Sequence, residues 1–503
     1  MEGVFAGDIW SDKLWKRQIE DIKILFHLET DIFENPYCYF ITTLDPRFDL
    51  ASSILSKTLS KIRGGMWKPI FIRPYPVVND LKHENIVYFW LGRGGSSNSE
   101  VSHPKVIIPE AEDLNVDISR YLNEIFCTND KLINLVSRLA EKQECVPLFG
   151  FTTSFLNIAN RKISVIGPRS GITTIYDSKI KQRRIFEDTE VPFPETEICY
   201  DVDRLEESEI VRKHKPCIAS AEYSSGGGGT VVIRTDKDIP DFRRRLSARY
   251  INQRYIVSPF LKAISSPNST GFVIDEENVL VTSVSDQLLY ETRNEIKYEG
   301  NCYPSAIPTR IQDEIILYTR SIGEELASKG YRGFFGCDFI VTGEGETFVV
   351  DLNPRKQGGF LCNLLMFEIL KPEGCPGLLD LELMQIEQPN PPLSSSELSK
   401  LKGTENPRIH FGWAQSKIRP RHKYFRISGE VWEGSEEICF TNIGSRCVKS
   451  FFPQGVTFYD GSFLGCVVTT GNSREEALAT LSQLESSASR RVEGYDQESG
   501  SRG

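Results

Sequence analysis

The residues best able to do chemistry in this chain lie near its middle: Asp338, Asp351, Asn353 and Arg355. In the run Asp351-Leu352-Asn353-Pro354-Arg355 an extended backbone alternates its side chains, so Asp351, Asn353 and Arg355 share one face while Leu352 turns into the core. Residues 336–341 and 347–352 flank Gly343-Glu344-Gly345-Glu346 as the two strands of a hairpin. If Asp338 pairs on the polar face, two carboxylates and an amide oxygen converge, which is the hard oxygen set that Mg²⁺ takes beside phosphate oxygens. Arg355 adds a planar cation for a phosphate, a carboxylate or a developing oxyanion. The plainer reading is a turn after a strand, since Asp, Asn and Pro all favour turns.

Two further elements suit a phosphate ligand. In Ser224-Ser225-Gly226-Gly227-Gly228-Gly229-Thr230, four glycines let the backbone approach a polyphosphate and aim N–H groups at it. No Gly-Lys-Ser/Thr follows, so this is not a Walker A loop. The alternative is a flexible connection, but the flanking apolar strand segments favour a lid over a ligand. The second element is a basic helical stretch with Lys179, Lys181, Arg183 and Arg184, from which Arg183 is the candidate to reach the α- or β-phosphate of a nucleotide. Asp286, Gln287, Arg293 and Lys297 are weaker candidates for cleft residues. The six histidines form no H-x-x-x-H or H-E-x-x-H pair and no G-x-S-x-G string occurs, which leaves zinc hydrolysis and serine acyl transfer without support.

The elements that must position these residues follow from periodicity. Short β-branched and aromatic runs at 37–43, 68–73 and 86–91 alternate with helical patterns at 48–62 and 130–141, which predicts an open α/β sheet over residues 1–166. Beyond Gly167-Pro168, residues 172–186 read as the basic helix. Residues 216–232 read as strand, glycine loop, strand, and strands at 254–257, 272–274 and 279–284 precede a long helix over 310–329. The core therefore spans 167–384. Pro389, Pro391, Pro392 and Ser394-Ser395-Ser396 mark 385–407 as a surface linker. Strands at 409–414, 424–432 and 464–469 and a helix at 473–484 predict a small α+β domain over 408–488, and 489–503 reads as a disordered tail.

The chain has 503 residues, 40% of them hydrophobic and 25% charged, with a net charge of −10. That is the composition of a folded multidomain chain, and its sign argues against a coat for nucleic acid or anionic lipid. Twelve cysteines without a C-x-x-C pair read as buried reduced thiols. No apolar run of about 18 residues and no secretory leader pattern occurs, so a cytoplasmic location is expected.

In their order, these pieces resemble the ATP-grasp superfamily of carboxylate-amine ligases. The basic helix precedes Val191-Pro192-Phe193-Pro194, followed by Pro216-Cys217-Ile218-Ala219-Ser220 with Ser225 to Gly229, Tyr255-Ile256-Val257-Ser258-Pro259-Phe260, Gly336-Cys337-Asp338-Phe339 and Asp351 to Arg355. The flanking segments look like the pre-ATP-grasp and C-terminal domains of pheganomycin-type peptide ligases. The resemblance implies ATP and Mg²⁺ as cofactors, with Asp338, Asp351 and Asn353 as magnesium ligands. It places Ser225, Gly226, Gly227, Gly228 and Gly229 over the phosphates, and Val257, Pro259 and Phe260 at the interdomain hinge beside adenine. Arg355 falls where a substrate carboxylate or acyl phosphate binds. Two departures stand out: Ser220 occupies the position usually held by a strand lysine, with Lys215 one strand-length earlier, and Asp351 stands where Glu is more common.

The implied activity is amide formation between a small carboxylate and an amine or amino acid through an acyl phosphate, in specialised metabolite biosynthesis. Activation of an enol or hydroxyl before amine attack, as in mycosporine-glycine-type synthases, stays open, as does a nucleotide-binding regulator without turnover. The expected partners are these small molecules, with no nucleic acid and no membrane; a homodimer is compatible.

Overall fold

The computed structural model describes residues 22–27, 36–44, 48–73, 87–93, 107–108, 122–123, 126–127, 130–158, 160–224, 227, 229–246, 248–388, 391, 393–402, 410–417, 424–427, 446–450, 457–459, 463–471, 473–489 and 492–495. The N-terminal part comprises β1 (Ile22–His27), β2 (Tyr37–Thr42), α1 (Asp49–Arg63), β3 (Met66–Arg73), β4 (Val87–Arg93), β5 (Ile107–Ile108), α2 (Asp130–Gln143), β6 (Val146–Phe149) and β7 (Ile163–Ile166). Its sheet has the order β1-β4-β3-β2-β6-β7. Every neighbouring pair is parallel except β1 with β4. Parallel strands covered on both faces lose the hydrophobic alternation and read as apolar runs, and β2 does so. Its Tyr39 and Ile41 pack with Leu132, Leu135 and Leu139 of α2, while Phe40 packs with Leu55 and Leu59 of α1.

The central part opens with α3 (Ser170–Tyr176) and α4 (Lys179–Asp188), then β8 (Glu197–Cys199), α5 (Glu209–Lys213), β9 (Cys217–Ala221), β10 (Thr230–Ile233), α6 (Asp238–Arg245), α7 (Ala248–Ile251) and β11 (Tyr255–Pro259). The four strands form a sheet of their own in the order β10-β9-β11-β8, antiparallel at every step. Cys217, Ala219, Ala221, Tyr255 and Val257 pack from it onto Val211 of α5 and Phe242 of α6.

Next come β12 (Ala263–Ser265), β13 (Pro267–Val273), β14 (Val279–Glu291), β15 (Ile296–Tyr303), α8 (Thr309–Ser328), β16 (Gly333–Thr342), β17 (Thr347–Asn353), α9 (Phe360–Leu370), α10 (Leu378–Glu387) and α11 (Ser395–Lys402). Helix α8 lays Ile311, Ile315, Ile322 and Leu326 on Val273, Val281 and Phe335. The close approach depends on glycine: a Cβ on Gly271 or Gly323 would sit 2.3 or 2.7 Å from the Phe335 ring. Within the stretch read as a linker, Leu401 of α11 is buried, with Leu393 and Leu398 packed on the same core. That core also takes in Phe40 and Phe149 of the N-terminal sheet, so the two parts share one apolar interior.

The chain ends in β18 (His410–Lys417), β19 (Tyr424–Ile427), β20 (Arg446–Ser450), β21 (Thr457–Tyr459), β22 (Phe463–Gly471), α12 (Arg474–Ser489) and β23 (Val492–Tyr495). Rather than forming a sheet of their own, β18, β22 and β20 extend the central one, which runs β12-β16-β13-β14-β15-β18-β22-β20 with β17 on β16. A second small sheet, β23-β19-β21-β5, recruits the two-residue β5 from the N-terminal part. Its β23 lies within the stretch 489–503 read as a tail and pairs with β19. No helix among the described residues is long and apolar enough to cross a membrane. Of the described cysteines, Cys199, Cys217, Cys302, Cys337, Cys362 and Cys375 are buried.

Candidate active site

The hairpin of β16 and β17 pairs Asp338 with Asp351, Cys337 with Leu352 and Gly336 with Asn353, and a bulge follows at Phe339. Leu352 is buried in the core under the sheet, so the alternation leaves Asp351 and Asn353 on the polar face. Asp338 accepts three hydrogen bonds, from Asn268 Nδ2 at 2.6 Å, Gln287 Nε2 at 2.8 Å and Asn353 Nδ2 at 3.1 Å. Burial, and then the neighbouring Asp351, push its carboxyl up to about 6, against the pull of Asn268, Lys179 and Asn353.

Two carboxylates held this close favour a cation, and one is present. Lys179 Nζ lies 2.5 Å from Asp351 Oδ2. The donor set fits Mg²⁺: two carboxylates and the second lone pair of Asn353 Oδ1, with the remaining positions left to phosphate oxygens and water. Among the described residues no group of three or more His, Cys, Asp or Glu is placed to hold a metal ion by itself.

Helix α4 carries the cations. Its N-cap Ser178 accepts from Lys181 N at 3.2 Å and donates to Glu222 Oε1 at 2.5 Å. Glu222, buried just after β9, accepts from Arg254 Nε and Nη2 at 2.8 and 2.7 Å. Lys179 N donates to the Glu222 carbonyl at 3.0 Å. Arg183 lies one turn further on, between the rings of Phe186 and Phe193 at 5.6 and 5.5 Å. Its Nε and Nη1 are buried and find no hydrogen-bond partner among the described residues. Burial pulls its guanidinium down to about 10, opposed by Asp351. The basic run thus delivers two cations toward Asp351. Sequence reasoning named Arg183 and missed Lys179, although both sit on the helix face that carries Phe186.

The glycine loop joins β9 to β10, with Ser220 opposite Thr230 and their hydroxyls 3.0 Å apart. Ser225, Gly226 and Gly228 fall outside the described residues. Gly227 has φ of 90°, and a Cβ there would meet the Ile296 carbonyl at 2.3 Å. Gly227 therefore rests on the start of β15. The same contact continues as Val232 N donating to Asn294 O at 2.9 Å, Asn294 Nδ2 returning to Val232 O at 2.9 Å, and Arg234 Nε donating to Arg293 O at 2.8 Å. Lys215 pairs with Asp236 at the far end of β9, roughly 17 Å along the strand from Ser220. Lys297 lies under the loop and pairs with Glu295 at 3.5 Å.

At the hinge, the Val257 side chain belongs to the core, which leaves a ligand its main chain. Phe260 N donates to Pro216 O at 3.1 Å, Pro259 pairs with Cys217, and Arg234 covers the Phe260 ring at 5.4 Å. Arg355 donates to Asn353 Oδ1 at 2.7 Å, places Nε 3.4 Å from Asp177 and lies 5.8 Å over the Phe151 ring. Lys356 beside it turns the other way, into a buried ion pair with Glu382 at 2.7 Å, ringed by Phe149, Phe334 and Phe360. Of the weaker candidates, Gln287 reaches Asp338. Asp286 instead anchors structure, accepting from Ala306 N at 2.8 Å and pairing with Arg474 at 3.0 Å.

Residues 176–359, which include Lys179, Arg183, Asp338, Asp351, Asn353 and Arg355, match the family described as ATP-grasp domain. The central part of this chain is an ATP-grasp domain. Over 132 residues the chain is 36% identical to the L-propargylglycine--L-glutamate ligase of Streptantibioticus cattleyicolor, covering 26% of this chain and 25% of that protein. Over 262 residues it is 23% identical to the butirosin acyl-carrier protein--L-glutamate ligase of Niallia circulans, covering 51% of this chain and 56% of that protein. The matched stretches thus span a quarter and about half of these relatives. In fold, the chain is similar to the biotin carboxylase domain dimer of the Hydrogenobacter thermophilus 2-oxoglutarate carboxylase, solved with MgADP, ADP and bicarbonate. That likeness has a TM-score of 0.59 at 11% identity and covers 88% of this chain and 89% of that one.

Proposed function

We propose that this protein is an ADP-forming ligase that joins a small carboxylate to an amine at the expense of ATP. The observation that carries the reading is the convergence, at one hairpin end, of Asp338 and Asp351 with Lys179, Arg183 and Arg355 around them. Asp338, Asp351 and Asn353 would hold Mg²⁺, which when bound supplies Lewis acidity to the phosphate oxygens. Lys179 and Arg183 neutralise phosphate charge, and the loop from Ser225 to Gly229 covers the phosphates with N–H donors. The main chain from Val257 to Phe260 meets the adenine.

Arg355 holds the substrate carboxylate so that one oxygen faces the γ-phosphorus. That oxygen attacks, ADP leaves, and the acyl phosphate stays under the closed loop, away from water. The amine then attacks the acyl carbon and phosphate departs. Arg355 stabilises charge on the tetrahedral oxygen. No side-chain nucleophile is required, in keeping with the lack of a catalytic Ser or Cys arrangement in the sequence. The names of the two relatives support amino acids as substrates, with L-glutamate the first to try, and a place in specialised metabolite formation.

The test is release of ADP and phosphate from MgATP that requires both a carboxylate and an amine. Steady formation of AMP and pyrophosphate would sink the mechanism. Oxygen-18 in the substrate carboxylate should appear in the released phosphate.

A further inference from the structure

Helix α4 touches both halves of the proposed site, and one side chain fixes it to the second half. Gln182 is buried at 1% exposure. Its Oε1 accepts from Leu352 N at 2.7 Å and its Nε2 donates to Leu352 O at 3.2 Å, with a longer bond to Tyr176 O at 3.4 Å. The amide thus bonds β17 as a neighbouring strand would, using both its donor and its acceptor on one residue. Leu352 lies between Asp351 and Asn353. Gln182 lies three residues after Lys179, on the same side of the helix. The one helix turn between them spans about 4.5 Å of axis.

We infer that Gln182 is a positioning residue, which sets Lys179 against the strand end that carries Asp351 and Asn353. The inference rests on the nucleotide-binding reading above. Without the clamp, α4 keeps its anchor to β9 through Ser178 and Glu222 and the apolar packing of Ile185 and Phe186 near Val349 and Leu352, but it loses the directional bonds that fix its rotation relative to β17. Lys179 would then meet Asp351 and a phosphate in many arrangements rather than one. A long side chain that loses its fixed position loses most of its contribution to binding, because ordering it again costs conformational entropy.

The experiment is a double-mutant cycle on MgATP affinity, measured by titration calorimetry on the full chain, with thermal melting as the control for folding. Lys179→Ala and Gln182→Met should each weaken binding roughly tenfold. The double variant should bind about as the weaker single does, since an unplaced lysine has little left to lose. Multiplying effects, about a hundredfold in the double variant, would overturn the inference and leave Gln182 a purely structural residue. Should Gln182→Met not fold, Gln182→Glu keeps the bond from Leu352 N and loses the one to Leu352 O, and the same cycle is run on it. A wild type that fails to bind MgATP overturns the nucleotide reading and this inference together. A wild type that binds, with independent variants, overturns only the role of Gln182.

Discussion

The β16–β17 hairpin presents its chemistry as side chains already bonded to one another, whereas the β9–β10 hairpin presents main-chain groups on glycine. At the first, Asp338 has three donors, Asp351 has Lys179 and Asn353 has Arg355, so each polar group has a fixed direction. At the second, the hydroxyls of Ser220 and Thr230 meet at the strand ends, and Gly227 is placed by the side chain it lacks. The two are joined through α4, which is bonded to Glu222 at one and Leu352 at the other. The difference teaches where each kind of change should act. On the proposed function, the first hairpin, which fixes charge, should govern the chemical step, and the second, which fixes access, affinity for the nucleotide.

The comparison is broken most severely at the first hairpin. Asp351→Ala and Asn353→Ala should each lower kcat on the order of a thousandfold in a protein that still folds, Asn353→Ala with a lowered melting temperature because Asp338 and Arg355 each lose a bond. Near-wild-type turnover in either would remove the metal assignment. Behind the same hairpin, Lys356→Met leaves Glu382 charged and buried without its partner, and should cost about 3–5 kcal/mol in denaturant unfolding. Adding Glu382→Gln should recover part of that loss. A cost under about 1 kcal/mol would mean that water reaches the pair.

Acid should act on the first hairpin through Asp338. With its carboxyl raised to about 6, Asp338 takes up a proton below that pH, and Mg²⁺ must displace the proton to bind. Affinity for Mg²⁺ should therefore fall by up to about tenfold per unit below about pH 6. The sign for stability is the reverse. In the metal-free protein, the folded state holds this proton more tightly than the unfolded one does. The contribution of Asp338 to stability is thus present at low pH and is lost as pH rises from about 4 to about 6. Metal titrations and melting curves at matched pH should show the two opposite slopes; parallel slopes would mean that Asp338 is not the titrating group.

The smallest effect belongs to the second hairpin. Gly227→Ala meets both a positive φ and the Ile296 carbonyl, so the loop must lift from β15. KM for ATP should rise roughly tenfold with kcat less affected. An equal fall in kcat would show that the glycine loop takes part in the chemical step.

Legibility in the sequence divides along the same line. Asp338, Asp351, Asn353 and Arg355 could be read because a two-residue alternation and a hairpin signal place them with no long-range information. The amides could not. Asn268 and Gln287 reach Asp338 from strands 70 and 51 residues away, and an uncharged Asn or Gln carries no sign of its partner. Within α4 the four basic residues at 179, 181, 183 and 184 surround the helix. Only packing decides that Lys179 and Arg183 turn inward while Arg184 stays exposed and pairs with Asp188. The linkage of the C-terminal strands was equally hidden, since Asn301 pairs with Trp413 across more than a hundred residues.

That pairing of β15 with β18 decides what a shortened form of this protein would be. A chain cut near residue 405 would not be a catalytic unit freed of an accessory module. It would expose the hydrogen-bonding edge of β15, ending in the buried Cys302 and Tyr303, to any other strand in solution. The C-terminal strands thus cover this edge against edge-to-edge association, and such a fragment should aggregate where the full chain does not.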